Sequence, residues 1–136
     1  MEMARRELLT LNLIGAVAVV ASPMVWAAPR EAQEMYGLIA NMTAAPGQRD
    51  ALIAILIEAV SNMPGCLSYI VAKDSTDENK IWVSEVWNNK ESHDKSLSLP
   101  SVKQAIAAAR PMMAGFGSQV ITTPVGGYGL PAKNAR

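Results

Sequence analysis

Apolar and polar positions alternate from Met35 to Thr43, with Tyr36, Leu38, Ala40 and Met42 on one side and Gly37, Ile39 and Asn41 on the other, which predicts a strand. Ala45-Pro46-Gly47 ends it. From Gln48 to Asn62 the period lengthens: Leu52, Ile55, Leu56, Ala59 and Val60 recur at helical spacing, and Met63-Pro64-Gly65 stops the helix. Cys66 to Lys73 and Lys80 to Asn88 read as two further strands. The polar run Asp74 to Asn79 between them suits a hairpin loop, so they are expected to pair antiparallel. A short helix over about Lys90 to Ser98 is followed by a longer one over Ser101 to Ala109, with Ser101 placed to cap it. Val102, Ala105, Ile106 and Ala109 give that helix a narrow face of small residues suited to close packing on a sheet. A last strand is expected from about Ser118 to Thr123, and Pro124 to Arg136 is a Gly/Pro-rich tail. The order β-α-β-β-α-β predicts an α+β, ferredoxin-like split unit over residues 34–124. Helices crossing one face of its sheet leave the other bare, and that face carries Trp82 and Val86. A second copy of the chain is the expected cover.

The N-terminus has a different pattern. Arg5-Arg6 precedes an apolar run from Leu11 to Val20, and Val25-Trp26-Ala27 offers small residues where a signal peptidase reads, so residues 1–27 are expected to be a cleaved secretory signal. The apolar run is interrupted by Ser22-Pro23, unlike a membrane-spanning helix. Export to the periplasm by the general or the twin-arginine route is the expectation. Cleavage removes two basic and two acidic residues, leaving ten of each from the twelve of each in the chain. This balance offers nothing to nucleic acid or to an anionic membrane. Cys66 is the sole cysteine, so no intrachain disulfide and no Cys/His quartet for zinc exists. Between Gly65 and Leu67 it reads as a small hydrophobe opening a strand.

Candidate chemistry gathers around His93, the sole histidine, set between the third strand and the following helix. Its ordinary pKa of about 6.5 suits a general base or a donor to a phenolic oxygen. Glu85 lies in a strand built otherwise of Ile81, Val83, Val86 and Trp87, where a carboxylate needs a partner. Alternation puts it on the same face as Val83 and Trp87. A salt bridge and a place in a ligand site both satisfy it. Tyr69, Trp82 and Trp87 supply apolar walls for an aromatic ligand, and core packing accounts for them as well. Met112, Met113 and Phe116 line either a pocket mouth or the corner between helix and strand. The sequence has no flavin or nicotinamide fingerprint: Gly126-Gly127-Tyr128-Gly129 lacks the helix that a dinucleotide site requires.

Pro64-Gly65-Cys66-Leu67-Ser68-Tyr69, Glu85-Val86-Trp87, the run from His93 to Val102 and Ala109-Arg110-Pro111-Met112-Met113-Ala114-Gly115-Phe116 together resemble the antibiotic-biosynthesis monooxygenase superfamily, most closely its quinol monooxygenase branch. The resemblance implies a dimeric α+β barrel in which two sheets pack face to face. It also implies a cofactor-independent monooxygenase that oxidises a quinol or related phenolic with O2, using no metal or flavin. His93 then takes the catalytic role, with Tyr69, Trp82, Glu85, Trp87, Met112 and Phe116 around the substrate. Many relatives carry a second histidine where Ser98 stands here, so any such chemistry in this chain runs on one. Two alternatives stand beside it. One is a heme-binding or heme-degrading relative using Asn41, a tryptophan and His93, although the tryptophan spacing is against it. The other is a non-catalytic dimeric module that binds a small molecule.

Overall fold

The structure, a computed structural model, describes residues 33–131. In chain order the elements are β1 (Tyr36–Ala44), α1 (Arg49–Ala59), β2 (Cys66–Lys73), β3 (Lys80–Trp87), α2 (Lys90–Ser96), α3 (Pro100–Ala109) and β4 (Met113–Thr122), with a 3-10 turn over Arg110–Met112. The expected signal over residues 1–27 lies outside the described residues, as does the end of the tail beyond Pro131. The strands form one antiparallel sheet in the order β2-β3-β1-β4, the ferredoxin-like α+β arrangement expected.

Register decides which side chains meet. Leu38 and Tyr69 stand opposite Glu85 from its two sides, and Ala40 and Val71 stand opposite Val83. All six point to the helical layer. Two apolar clusters result: Ala44, Leu52, Ile81, Val83 and Ala109 in one, Tyr36, Leu38 and Trp87 in the other. Each fully buried aliphatic or aromatic side chain contributes about 1.5–3 kcal/mol by leaving water. Ile39, Ile70, Trp82 and Val120 remain exposed, and alternation puts them on the face that no helix crosses. The hairpin between β2 and β3 is shaped by Asp74, whose Oδ1 accepts from the backbone N–H groups of Thr76 and Asp77, both at 2.9 Å.

Three expectations shift. Pro100 opens α3, with extended Leu99 before it and no side-chain cap. A proline at the first helical position has its φ preset and no N–H to satisfy, so Ser101 is not needed as a cap. β4 begins at Met113, because pairing with β1 extends through Gly115 and Phe116 across a shift in register between Ala40 and Met42. A Cβ on Gly117 would collide with the Asn41 carboxamide, so glycine there lets Asn41 Nδ2 donate to Ser118 Oγ at 2.7 Å. Finally, α3 packs on α1, and its small residues leave room above the sheet where close contact was expected.

Candidate functional site

That room is a cavity of about 380 Å³, within the size range of small-molecule sites. Leu56 and Val60 from the α1 side, Val102, Ala105, Ile106 and Ala109 from α3, and Met42, Met113 and Phe116 from β1 and β4 give it an apolar wall. Tyr69, Glu85, Trp87, His93, Ser96 and Arg110 line it too and bring the polar atoms. Leu97, Ile106 and Phe116 are half or more exposed, or nearly so, and rim the opening, whereas the side chains of Glu85 and His93 are only 13% exposed.

Local sequence seats each polar group. Glu85 and Trp87 are two apart on β3, hence on one face, and Trp87 Nε1 donates to Glu85 Oε2 at 2.8 Å. α2 starts where Asn89 accepts from the Ser92 backbone N–H at 2.8 Å. Gly65, at φ +84, brings the start of β2 against Ser92, where any Cβ would clash. Ser96 Oγ donates to the His93 carbonyl at 2.6 Å within the same helix. His93 therefore projects toward the sheet. Its ring lies 4.9 Å from that of Tyr36 at 43° and 5.6 Å from that of Trp87, edge-on at 83°.

His93 Nε2 comes to 4.0 Å from Glu85 Oε2. This separation is too long for a direct hydrogen bond, yet a single oxygen placed about 2.9 Å from both atoms would bridge it. Burial pushes the Glu85 carboxyl above the usual carboxylate range, against the Trp87 N–H and the nearby imidazole, which draw it down. The Tyr69 hydroxyl is pushed far above its ordinary value by burial, with Glu85 adding to the effect, so it stays a hydrogen-bond donor. Burial raises the Cys66 thiol as well, and its Sγ donates to the Ser68 carbonyl at 3.6 Å. A protonated thiol of this kind is a packing group, not a nucleophile.

The sequence candidates divide cleanly. His93, Glu85, Tyr69, Trp87 and Phe116 meet at the cavity, whereas Met112 packs into the core beside it and Met113 takes the wall position. Trp82 is not brought there. An even position on β3 turns it to the opposite sheet face, where its Nε1 donates to Asp74 Oδ2 at 2.7 Å and holds that carboxyl low. Asn41 is likewise turned away from His93 and bound to Ser118, so the heme-type set of Asn41, tryptophan and histidine does not assemble. Nothing in the alternation alone singles out Leu56, Val60 or Ile106 as cavity residues. The usable signal is the mismatch of large residues on α1 with alanines on α3. No group of three or more metal-ligating side chains occurs among the described residues.

Residues 35–108 match the antibiotic biosynthesis monooxygenase family. The chain belongs to this family. A solved structure of a candidate antibiotic biosynthesis monooxygenase from Chloroflexus aurantiacus J-10-fl is 60% identical over 71% of this chain and 99% of its own, with a TM-score of 0.70. The uncharacterised protein sll1783 of Synechocystis is 25% identical over 113 residues, covering 76% of this chain and 77% of its own. SnoaB, a cofactor-independent oxygenase from Streptomyces nogalater, shares the fold at a TM-score of 0.58 and 14% identity, over 70% of this chain and 97% of its own.

Proposed function

We propose that this antibiotic biosynthesis monooxygenase family member oxidises a quinol or related phenolic with O2, and that its own side chains suffice without flavin, nicotinamide or metal. The observation that carries the reading is the pairing of His93 Nε2 with Glu85 Oε2, 4.0 Å apart, in a largely apolar cavity. A phenolic oxygen seated between them gives its proton to Nε2. The buried Glu85 carboxyl, biased toward its neutral form, donates to the oxygen that has lost the proton, and Tyr69 supplies a further donor along the wall. The electron-rich anion then reduces dioxygen itself. One quinol and one O2 give one hydroxyquinone and one water, so the substrate provides every electron. The protein contributes deprotonation, orientation and exclusion of water.

The fold shared with SnoaB, described as a cofactor-independent oxygenase, supports the cofactor-free part of this reading. The exposed Ile39, Ile70, Trp82 and Val120 support a homodimer in which two such faces cover each other. Arg5-Arg6, the apolar run from Leu11 to Val20 and the Val25-Trp26-Ala27 site support export with cleavage before Ala28. Oxygen uptake across a panel of hydroquinones tests the activity.

A further inference from the structure

The imidazole of His93 sits between two carboxyls held in different ways. Toward the cavity, Glu85 Oε2 is 4.0 Å from Nε2 and already accepts from Trp87. Toward the surface, Asp94 places Oδ1 3.1 Å from Nδ1, and its Oδ2 accepts from Lys90 Nζ at 2.6 Å. Only the second contact is within hydrogen-bonding distance. A neutral imidazole has one N–H to give. Placed on Nδ1, it satisfies Asp94; placed on Nε2, it leaves the Nδ1 lone pair facing the Asp94 oxygen, acceptor against acceptor.

The ring has little freedom to escape this choice. Tyr36 from β1 and Trp87 from β3 flank it, and its side chain is 13% exposed. The charged and titratable groups around it are Glu85 from β3, Tyr36 from β1, and Asp94 with Lys90 from α2, while Tyr69 from β2 faces the same cavity. Lys90 neutralises the field of Asp94 in part but leaves Oδ1 free to accept, so the hydrogen bond outlasts the screening of the charge.

We propose that Asp94 is a positioning residue that fixes the His93 proton on Nδ1 and thereby presents an unprotonated Nε2 to the cavity. This inference rests on His93 serving as the base in the function proposed above. An unconstrained neutral histidine prefers its proton on Nε2, which would offer the incoming hydroxyl a donor where a base is needed. Asp94 reverses that preference from outside the cavity, and it touches no substrate.

Because the chain has one histidine, ¹⁵N-histidine labelling of the untagged protein gives a single pair of ring resonances, read where the two nitrogens show the distinct shifts of a neutral ring. In the wild type Nδ1 is expected at the protonated-type shift and Nε2 at the pyridine-type shift. In Asp94→Ala the two are expected to exchange character. Asp94→Asn, which keeps an acceptor oxygen, is expected to retain the wild-type pattern. With a hydroquinone that is turned over, Asp94→Ala should lower kcat while leaving KM in place, and Asp94→Asn should recover much of the loss. A wild-type spectrum with the proton on Nε2, an Asp94→Ala spectrum unchanged from wild type, or inversion in Asp94→Asn equal to that in Asp94→Ala would overturn the proposal. The tautomer is read without turnover, so absence of quinol oxidation refutes the function and leaves this assignment standing on its own spectrum.

Discussion

Trp87→Phe tests whether the Trp87–Glu85 bond organises the site. The substitution keeps a ring against His93 and removes the Nε1 donor that lies 2.8 Å from Glu85 Oε2. Trp87 is 1% exposed, so two losses follow. Roughly three ring atoms of packing disappear, about 2 kcal/mol at about 0.8 kcal/mol for each methylene-sized group. Where the carboxyl is ionised, the hydrogen bond it accepts is worth about 1.5–3 kcal/mol, and that buried acceptor is left unpaired. The total, about 4 kcal/mol, is a large share of the about 5–15 kcal/mol that stabilises an ordinary domain. The bond is isolated by a cycle of Trp87→Phe, Glu85→Leu and the double variant, followed by urea denaturation at one fixed protein concentration. A coupling of about 1.5–3 kcal/mol is expected at pH above the raised Glu85 pKa, where the carboxyl is ionised. It should fall by roughly half below that raised pKa, since a protonated carboxyl loses the charge-assisted part of the bond. A coupling below about 0.5 kcal/mol, the scatter of independent sites, would show that the two side chains do not act together.

Glu85→Gln should change how stability depends on pH. With its pKa raised on folding, Glu85 contributes stability that is fully present below the unfolded carboxylate range and is lost as pH rises through the raised folded value. The wild type, measured against Glu85→Gln by denaturant midpoint, should therefore weaken as pH rises through that window; a flat difference would mean that burial does not raise this carboxyl. Light scattering at micromolar concentration should give twice the chain mass, and a monomer mass would remove the face-to-face sheet packing. N-terminal sequencing of exported protein should start at Ala28 or next to it, and an intact Met1 on material outside the cytoplasm would contradict cleavage.

Much of the fold is legible because two periodicities are clean. The switch from alternation at Met35–Thr43 to helical spacing at Gln48–Asn62 marks β1 and α1, and the polar run from Asp74 to Asn79 marks the hairpin. Alternation also puts Glu85 with Val83 and Trp87, as found. What the periodicities do not encode is register. Tyr69 reaches Glu85 only because β2 shifts by a residue between Cys66 and Ser68, a bulge with no composition signature. The start of β4 is hidden for a related reason: Gly115 and Gly117 have low strand propensity, and pairing with β1 overrides it. His93 is more embedded than its place at a loop-to-helix junction implies. Its contacts with Tyr36 and Trp87 come from strands that the sequence alone does not bring together, so His93→Ala should cost about 0.5–1.5 kcal/mol for each aromatic contact, read as a shift in denaturant midpoint.

The central claim is that His93 acts as base in a cofactor-free oxidation, and oxygen consumption tests it most directly. Purified protein, treated with chelator and free of added flavin or nicotinamide, is mixed with a panel of hydroquinones and compared with His93→Ala and with Ser98→Ala as control. One O2 consumed per quinol is expected, unaffected by chelator, with a rate about 10²-fold lower in His93→Ala and near wild type in Ser98→Ala. Uptake no faster than uncatalysed autoxidation across the panel, or equal rates in wild type and His93→Ala, would contradict the account.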